Sequence, residues 1–113
     1  MFDKEILEKY DPQGMHKVYD RWPQIAKDAC ESDLETIDFK DIDHVVFSGM
    51  GGSGTIGDLF SSILSKTDIH TTVVKGYVLP KTVDENTLVV ITSVSGDTVE
   101  TLSTLESASK KNC

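Results

Sequence analysis

Two short stretches hold the residue types that could do chemistry. The first, Gly49-Met50-Gly51-Gly52-Ser53-Gly54, is a glycine-rich run with one hydroxyl. The second, Ser93-Val94-Ser95-Gly96-Asp97-Thr98, sets serines and a threonine around another glycine. Glycine lets a ligand come against main-chain N–H groups that a Cβ would shield. Serine and threonine add O–H donors, which suit the several acceptor oxygens of a phosphate. Ser53, Ser93, Ser95 and Thr98 are therefore candidate donors around a common centre. Neither stretch carries lysine or arginine, so an anion would be held by amides, hydroxyls and helix dipoles.

The flanking residues must place these donors. Val45, Val46 and Phe47 form a non-alternating apolar run, which suits a strand buried on both faces and ending at Ser48. From Thr55 on, Ile56, Leu59, Phe60, Ile63 and Leu64 recur with helical spacing and predict a helix whose apolar face packs on a sheet. His70 to Lys75 gives a second strand, Gly76 to Asn86 a turn-rich connection, and Thr87 to Thr92 a third strand. Val99, Leu102 and Leu105 mark a further helix, and Asp97 with Glu100 has the spacing of a capping box at its start. This succession predicts an α/β fold, a parallel sheet with flanking helices. Right-handed crossovers put the second and third strands on opposite sides of the first, in the flavodoxin-like order. Both polar loops then face each other at the switch point, where open α/β sheets bind ligands.

The rest of the chain narrows the partners. Its 113 residues suffice for one small domain, divided here into a helical segment and linker over 1–43 and the α/β part over 44–113. A net charge of −8 excludes nucleic acid and anionic membrane as expected partners, because phosphate backbones are bound by clustered Lys and Arg. The opening MFDKEILEKYD is not a secretory signal, and no run approaches transmembrane length, so a cytoplasmic location is expected. Cys30 and Cys113 make neither a metal spacing nor a disulfide framework and read as free thiols. Met15, Val18, Tyr19, Trp22, Ile25, Ala26 and Ala29 form a helical stripe, with a break or kink expected at Pro23. Tyr19 and Trp22 read as that helix's packing face, His16 as a solvated residue, and Glu31 to Asp43 as a linker. His44 and His70, at strand starts, read as structural or solvated, and Glu100 as a cap rather than a base.

A dinucleotide site is the obvious competitor, since Gly49, Gly51 and Gly54 satisfy G-x-G-x-x-G between strand and helix. Such a site needs an acid at the end of the second strand, where this chain has Val74, Lys75 and Gly76. Asp68 precedes that strand and lies at its wrong end. No Gly-Lys-Ser/Thr follows the glycines, so a nucleotide loop of the Walker type also fails. A small phosphoester remains as the ligand, with no cofactor and no metal.

GMGGSG after a strand, paired with S-x-SG-[ND]-T opening a helix, resembles the sugar isomerase (SIS) domain. VVFSGMGGSGTIGDLF, the GYVLP segment from Gly76 to Pro80 and the helices before the first strand resemble the bifunctional phosphoglucose/phosphomannose isomerases. By that resemblance Gly52, Ser53, Ser93, Ser95 and Thr98 match the sugar-phosphate positions. Val94 stands where that family usually has Tyr, and Asp97 where it often has Asn; Asp97 is expected to turn from the ligand toward the helix amides.

The resemblance implies interconversion of glucose 6-phosphate or mannose 6-phosphate with fructose 6-phosphate through an enediol, and a homodimer for the full-length family. It places the catalytic base and acid C-terminal to Cys113, in a longer chain with five parallel strands in its first domain. The chain is accordingly expected to be an N-terminal part, inactive alone, whose third strand leaves an apolar edge open to self-association or to a covering segment. A SIS module that senses phosphosugars without reaction, and a dinucleotide-binding domain, are the alternatives. The acidic N-terminal helices weigh against a sensor that reads DNA.

Overall fold

The structure is a computed structural model that describes residues 3–111 and 113, so the first two residues of the 1–43 segment and Asn112 fall outside the description. Contacts divide the chain into two units, Met1–Ile37 and Asp38–Cys113.

In the first unit, α1 (Lys4–Tyr10) and α2 (Met15–Glu31) are joined by a turn through Gly14, whose φ of 69° suits glycine. Asp11 organises this turn. Its carboxylate accepts from the Met15 and His16 amides, both at 2.8 Å, and meets His16 Nδ1 at 2.6 Å. The amide and imidazole hydrogen bonds of His16, followed by the Met15 amide, lower the Asp11 pKa to about 2. His16 is therefore a partner of the Asp11 cap, where a simply solvated residue was expected. No break occurs at Pro23: α2 runs through it continuously. Proline removes one donor, and the turns on either side keep the helix in register. Tyr19 and Trp22 meet with their rings tilted, 5.0 Å between centroids, yet both are exposed, as are Met15, Val18 and Ile25. The expected packing face is formed on the helix but covers nothing among the described residues of this unit.

The second unit begins with an irregular segment and continues as β1 (His44–Ser48), α3 (Gly51–Leu64), β2 (His70–Val74), β3 (Thr87–Ile91) and α4 (Val99–Ser109). The sheet is parallel with order β2-β1-β3, as the crossover rule requires. Register pairs Val46 with Thr72 and Val89, and Phe47 with Val73 and Val90. Alternation along the strands then separates two faces. Val46, Val74, Leu79, Val83 and Ala108 make the buried core, on the face that α4 covers, with Val89 and Cys113 at its margin. Phe47 and Val73 point to the other face, under α3.

The two helices dock through small residues, which corrects the expectation for both. On α3, the buried positions are Gly54 and Gly57, with Ser53, Ser61 and Leu64 half-buried. Ile56, Leu59, Phe60 and Ile63 are exposed, Leu59 by 61%. A Cβ on Gly57 would lie 2.8 Å from the Phe47 Cβ and 3.2 Å from Val73 Cγ1. The helix comes so near the strand that no larger residue fits beneath it, and the apolar stripe is rotated off the contact. Ser61 Oγ reaches Thr71 Oγ1 at 3.0 Å further along the same face, and Phe60 stacks on Phe47 at 5.7 Å from its flank. On α4, Thr101, Thr104 and Ala108 are buried while Val99, Leu102 and Leu105 are exposed. The outer edges of β2 and β3 pair with no other strand among the described residues.

Gly57→Ala should destabilise the protein by about 1–3 kcal/mol in urea unfolding, the cost of overpacking a tight contact. Gly52→Ala, whose added Cβ meets nothing within 4 Å, should not. Equal effects would mean that the α3–β1 approach does not limit side-chain size. For Asp11 the sign follows from a depressed carboxyl: its contribution is complete above the ordinary value near 3.9 and is lost as pH falls through about 2. An NMR titration should put the Asp11 midpoint near 2, with faster exchange of the Met15 and His16 amides below it. A midpoint at about 3.9 would remove Asp11 from the start of α2.

Candidate functional site

β1 ends at Ser48, and the chain turns at once into a helix. α3 starts at Gly51 rather than at Thr55, so most of the glycine run is its first turn and not a free loop. The conformational demand falls on Gly51, with φ at 55°. Gly54 answers a different demand: a Cβ there would meet the Gly49 carbonyl at 2.6 Å and the Lys75 chain at 3.1 Å. It lets the first turn of α3 sit on the end of β1. The Ser53 and Gly54 amides bond the Met50 carbonyl at 3.1 and 3.4 Å. Those of Gly51 and Gly52 have no acceptor among the described residues and remain available.

The second loop is built from hydroxyls. Ser93 Oγ accepts from the Gly96 amide at 3.1 Å, and Ser95 Oγ from the Asp97 amide at 3.3 Å. Both lie 3.2 Å from Thr98 Oγ1. Each serine spends a lone pair on the backbone, and since Thr98 has one proton, at least one of the two serines donates to Thr98. Gly96, with φ at 70°, supplies the turn that brings the loop back on itself.

The expected capping box is absent. Thr98, not Asp97, occupies the N-cap position of α4, and no side chain bonds the first-turn amides. Asp97 is exposed and takes part through its amide. Glu100 lies beside Tyr77, where its charge and then its hydrogen bond push the Tyr77 pKa up. The helix is held from its other side instead. Thr101 Oγ1 donates to the Thr98 carbonyl at 2.7 Å, Thr104 Oγ1 to the Thr101 carbonyl at 2.9 Å, and Ser48 Oγ meets Thr104 Oγ1 at 2.8 Å. Since the Thr104 proton is committed to Thr101, Ser48 is the donor in this buried pair. The hydroxyl ladder locks the first turns of α4 to the end of β1.

Both helices therefore begin at the same end of the central strand, and a cleft of about 470 Å³ lies between their starts. Met50 before α3, with Gly52, Ser53 and Ile56 on it, lines one side, and Val94, Ser95 and Thr98 of the second loop line the other. Ser93 stands behind Thr98, joined to it by the hydroxyl contact, and is not itself in the lining. Among the sequence-derived candidates, Gly52, Ser53, Ser95 and Thr98 are thus brought to one cleft, with Ser93 one bond removed. Val94, 98% exposed, forms part of an apolar wall with Met50 and Ile56. Lys75, at the end of β2, is paired with Asp58 of α3 at 2.6 Å and is not in this lining. Exposed pairs of this kind contribute about 0–1 kcal/mol; the pair's clearer effect is to leave that corner without net charge.

Arithmetic favours an anion here despite the net charge of −8. Hydrogen bonds to a charged group contribute about 1.5–3 kcal/mol each, and a helix N-terminus about 0.3–1 kcal/mol more. Repulsion from exposed carboxylates beyond about 8 Å is largely screened at physiological salt. No group of three or more His, Cys, Asp or Glu side chains gathers as a metal site among the described residues.

A parallel α/β sheet with its polar groups at the switch point between β1 and β3 is the class that fold and cleft define. No family model matches the chain, and no solved structure does. Curated relatives do. The chain is 38% identical over 101 residues to the bifunctional phosphoglucose/phosphomannose isomerase of Caldicellulosiruptor bescii, covering 88% of this chain and 27% of that protein. It is 42% identical over 98 residues to the enzyme of the same name from Aquifex aeolicus, covering 85% and 27%. The D-glucosamine-6-phosphate 4-epimerase of Sulfolobus acidocaldarius is 32% identical over 94 residues, covering 83% and 29%. The chain is thus a sequence relative of the bifunctional phosphoglucose/phosphomannose isomerases over most of its own length, and spans about a quarter of theirs.

The ladder can be tested apart from any ligand. Thr104→Val leaves the Ser48 hydroxyl buried without its acceptor and should cost about 1–3 kcal/mol in urea unfolding. Adding Ser48→Ala should recover part of that loss, because removing both partners is far less costly than orphaning one. Additive losses in the double variant would show that the two hydroxyls do not depend on each other.

Proposed function

We propose that the Asp38–Cys113 unit binds the phosphate of a hexose phosphate as part of an aldose–ketose isomerase. The substrates are glucose 6-phosphate or mannose 6-phosphate and fructose 6-phosphate. The phosphate is held by the Gly52 amide and by the hydroxyls of Ser53, Ser95 and Thr98, with Ser93 orienting Thr98. The observation that carries this reading is the meeting of two separately built donor sets, one from each helix start, in one cleft. The names of the relatives, isomerases and an epimerase of phosphosugars, support the ligand class.

The cleft lining carries no carboxylate or imidazole among the described residues. Moving a proton between C1 and C2 needs a base within hydrogen-bond reach of the carbon acid. The role assigned to this chain is therefore binding and orientation, with the proton-transfer groups supplied by the rest of the isomerase. The same proposal reads residues 44–113 as part of a SIS domain preceded by a helical segment, in a cytoplasmic homodimer. The exposed Ile56, Leu59, Phe60 and Ile63 on α3 support a partner surface. No helix among the described residues is long and apolar enough to cross a membrane.

Calorimetry on the 113-residue chain should show saturable binding of glucose 6-phosphate and none of NAD or NADP. Ser53→Ala and Thr98→Ala should each weaken it by about 1–3 kcal/mol, the range for a lost donor to a charged ligand. Two neutral substitutions would show that the phosphate sits elsewhere. Binding of a dinucleotide without the sugar phosphate would replace the proposal with the dinucleotide reading.

A further inference from the structure

The opposite end of the sheet holds a second polar cluster that phosphate binding does not use. His44 opens β1 and is 5% exposed, and its ring lies 4.7 Å from that of His70, its register partner on β2. His44 Nε2 is 3.0 Å from Thr72 Oγ1. Its Nδ1 lies 3.5 Å from Thr87 Oγ1 on β3, at the limit of a hydrogen bond. The Thr87 hydroxyl is already committed: it donates to Asp84 Oδ1 and accepts the Asp84 amide, both at 3.0 Å. Asp84 Oδ1 also takes the Asn86 amide at 3.0 Å, so that carboxylate is engaged as well.

These roles suit a neutral imidazole. Nε2 can accept the Thr72 proton while Nδ1–H points toward the Thr87 oxygen and the Thr82 carbonyl. Adding a proton to Nε2 turns the Thr72 contact around and places a cation in a buried site, with a second imidazole ring beside it.

We propose that the His44–His70 pair makes the fold of the Asp38–Cys113 unit acid-sensitive just below neutral pH, through protonation of a buried imidazole at the start of the central strand. The groups facing His44 are Asp43 before β1, His70 and Thr72 on β2, Thr82 and Asp84 in the connection, and Thr87 on β3. Lys111, bound to the Val83 carbonyl at 3.0 Å, adds a positive charge on the connection. Burial first, and His70 second, lower the His44 pKa; the Thr82 carbonyl and the charges of Asp43 and Asp84 offset them in part.

The sign follows. A histidine with a lowered folded-state pKa contributes fully above the unfolded value of about 6.5 and loses that contribution as pH falls toward its folded value. Each pKa unit of depression lowers the folding constant about tenfold once the pH is below both values. This window opens at about 6.5, whereas that of Asp11 opens at about 3.9.

Thermal unfolding of the whole chain from about pH 7.5 to about pH 5.5 should show a falling Tm. His44→Gln should flatten that slope whatever it does to the Tm itself. His70→Gln, at an exposed position, should make it shallower by removing the second imidazole. Should His44→Gln fail to fold, the ring resonances of the native chain decide. His16→Gln and His70→Gln assign His44 by elimination, and its midpoint should lie clearly below about 6.5 and rise in His70→Gln. A His44 midpoint at or above about 6.5, or an unchanged Tm slope in His44→Gln, overturns the proposal.

Discussion

The structure depends on how closely α3 can approach the central strand. At Gly57 the space for a Cβ is taken by Phe47, and at Gly54 by the Gly49 carbonyl and the stem of Lys75. A helix can lie that near a sheet only where it presents no side chain. The loss in helix propensity from glycine, about 1 kcal/mol per position, is accepted at both positions. In return, the first turn of α3 sits directly on the end of β1. Its Gly51 and Gly52 amides have no acceptor among the described residues. The same glycine-rich sequence thus meets two demands, close packing at Gly54 and Gly57 and amide access at Gly51 and Gly52.

α4 solves the equivalent problem on the other face with hydroxyls. Thr101 and Thr104 are buried and return their protons to the helix's own carbonyls. Only the Ser48 hydroxyl then needs an external acceptor, and Thr104 provides it. A buried hydroxyl pair is specific in a way that a leucine contact is not, because sliding the helix by one residue would leave the Ser48 hydroxyl without its acceptor. The start of α4, and with it the Ser93–Ser95–Thr98 cluster, is thereby fixed against the same strand end that carries α3. Two unlike contacts, one steric and one hydrogen-bonded, set the width of the cleft between them.

Much of this was legible in the sequence, and the misses have one cause. Apolar β-branched runs located all three strands, and handedness ordered them, because a parallel strand buried on both faces leaves a continuous signal. The meeting of the two loops was legible as well, because the strand order puts both helix starts at one end of β1. Helix phase was not. The stripe of Ile56, Leu59, Phe60 and Ile63 has the period of a buried face, and so does the line of Gly54, Gly57, Ser61 and Leu64 beside it. Hydrophobicity selects the first, whereas the sheet receives the second. The available signal was small residues at positions 54, 57 and 61, which marks close approach as surely as bulk marks burial. Asp97 and Glu100 failed in a similar way: spacing allowed a capping box, but the backbone placed Thr98 at the cap and Glu100 beside Tyr77.

The sheet's two ends have opposite electrostatic character, which separates binding from folding. At the C-terminal end, unpaired amides and outward hydroxyls favour an incoming negative charge and cost little when it is absent, since water can serve them. At the N-terminal end, His44 is 5% exposed and its ring nitrogens face the Thr72 and Thr87 hydroxyls, so a new positive charge there is poorly solvated. The central strand joins the two, from His44 at one end to Ser48 at the other. An open site and a closed one on five consecutive residues follow from strand direction alone: helices start at the end where the strand stops, and the end where it starts is sealed by the connections that feed it.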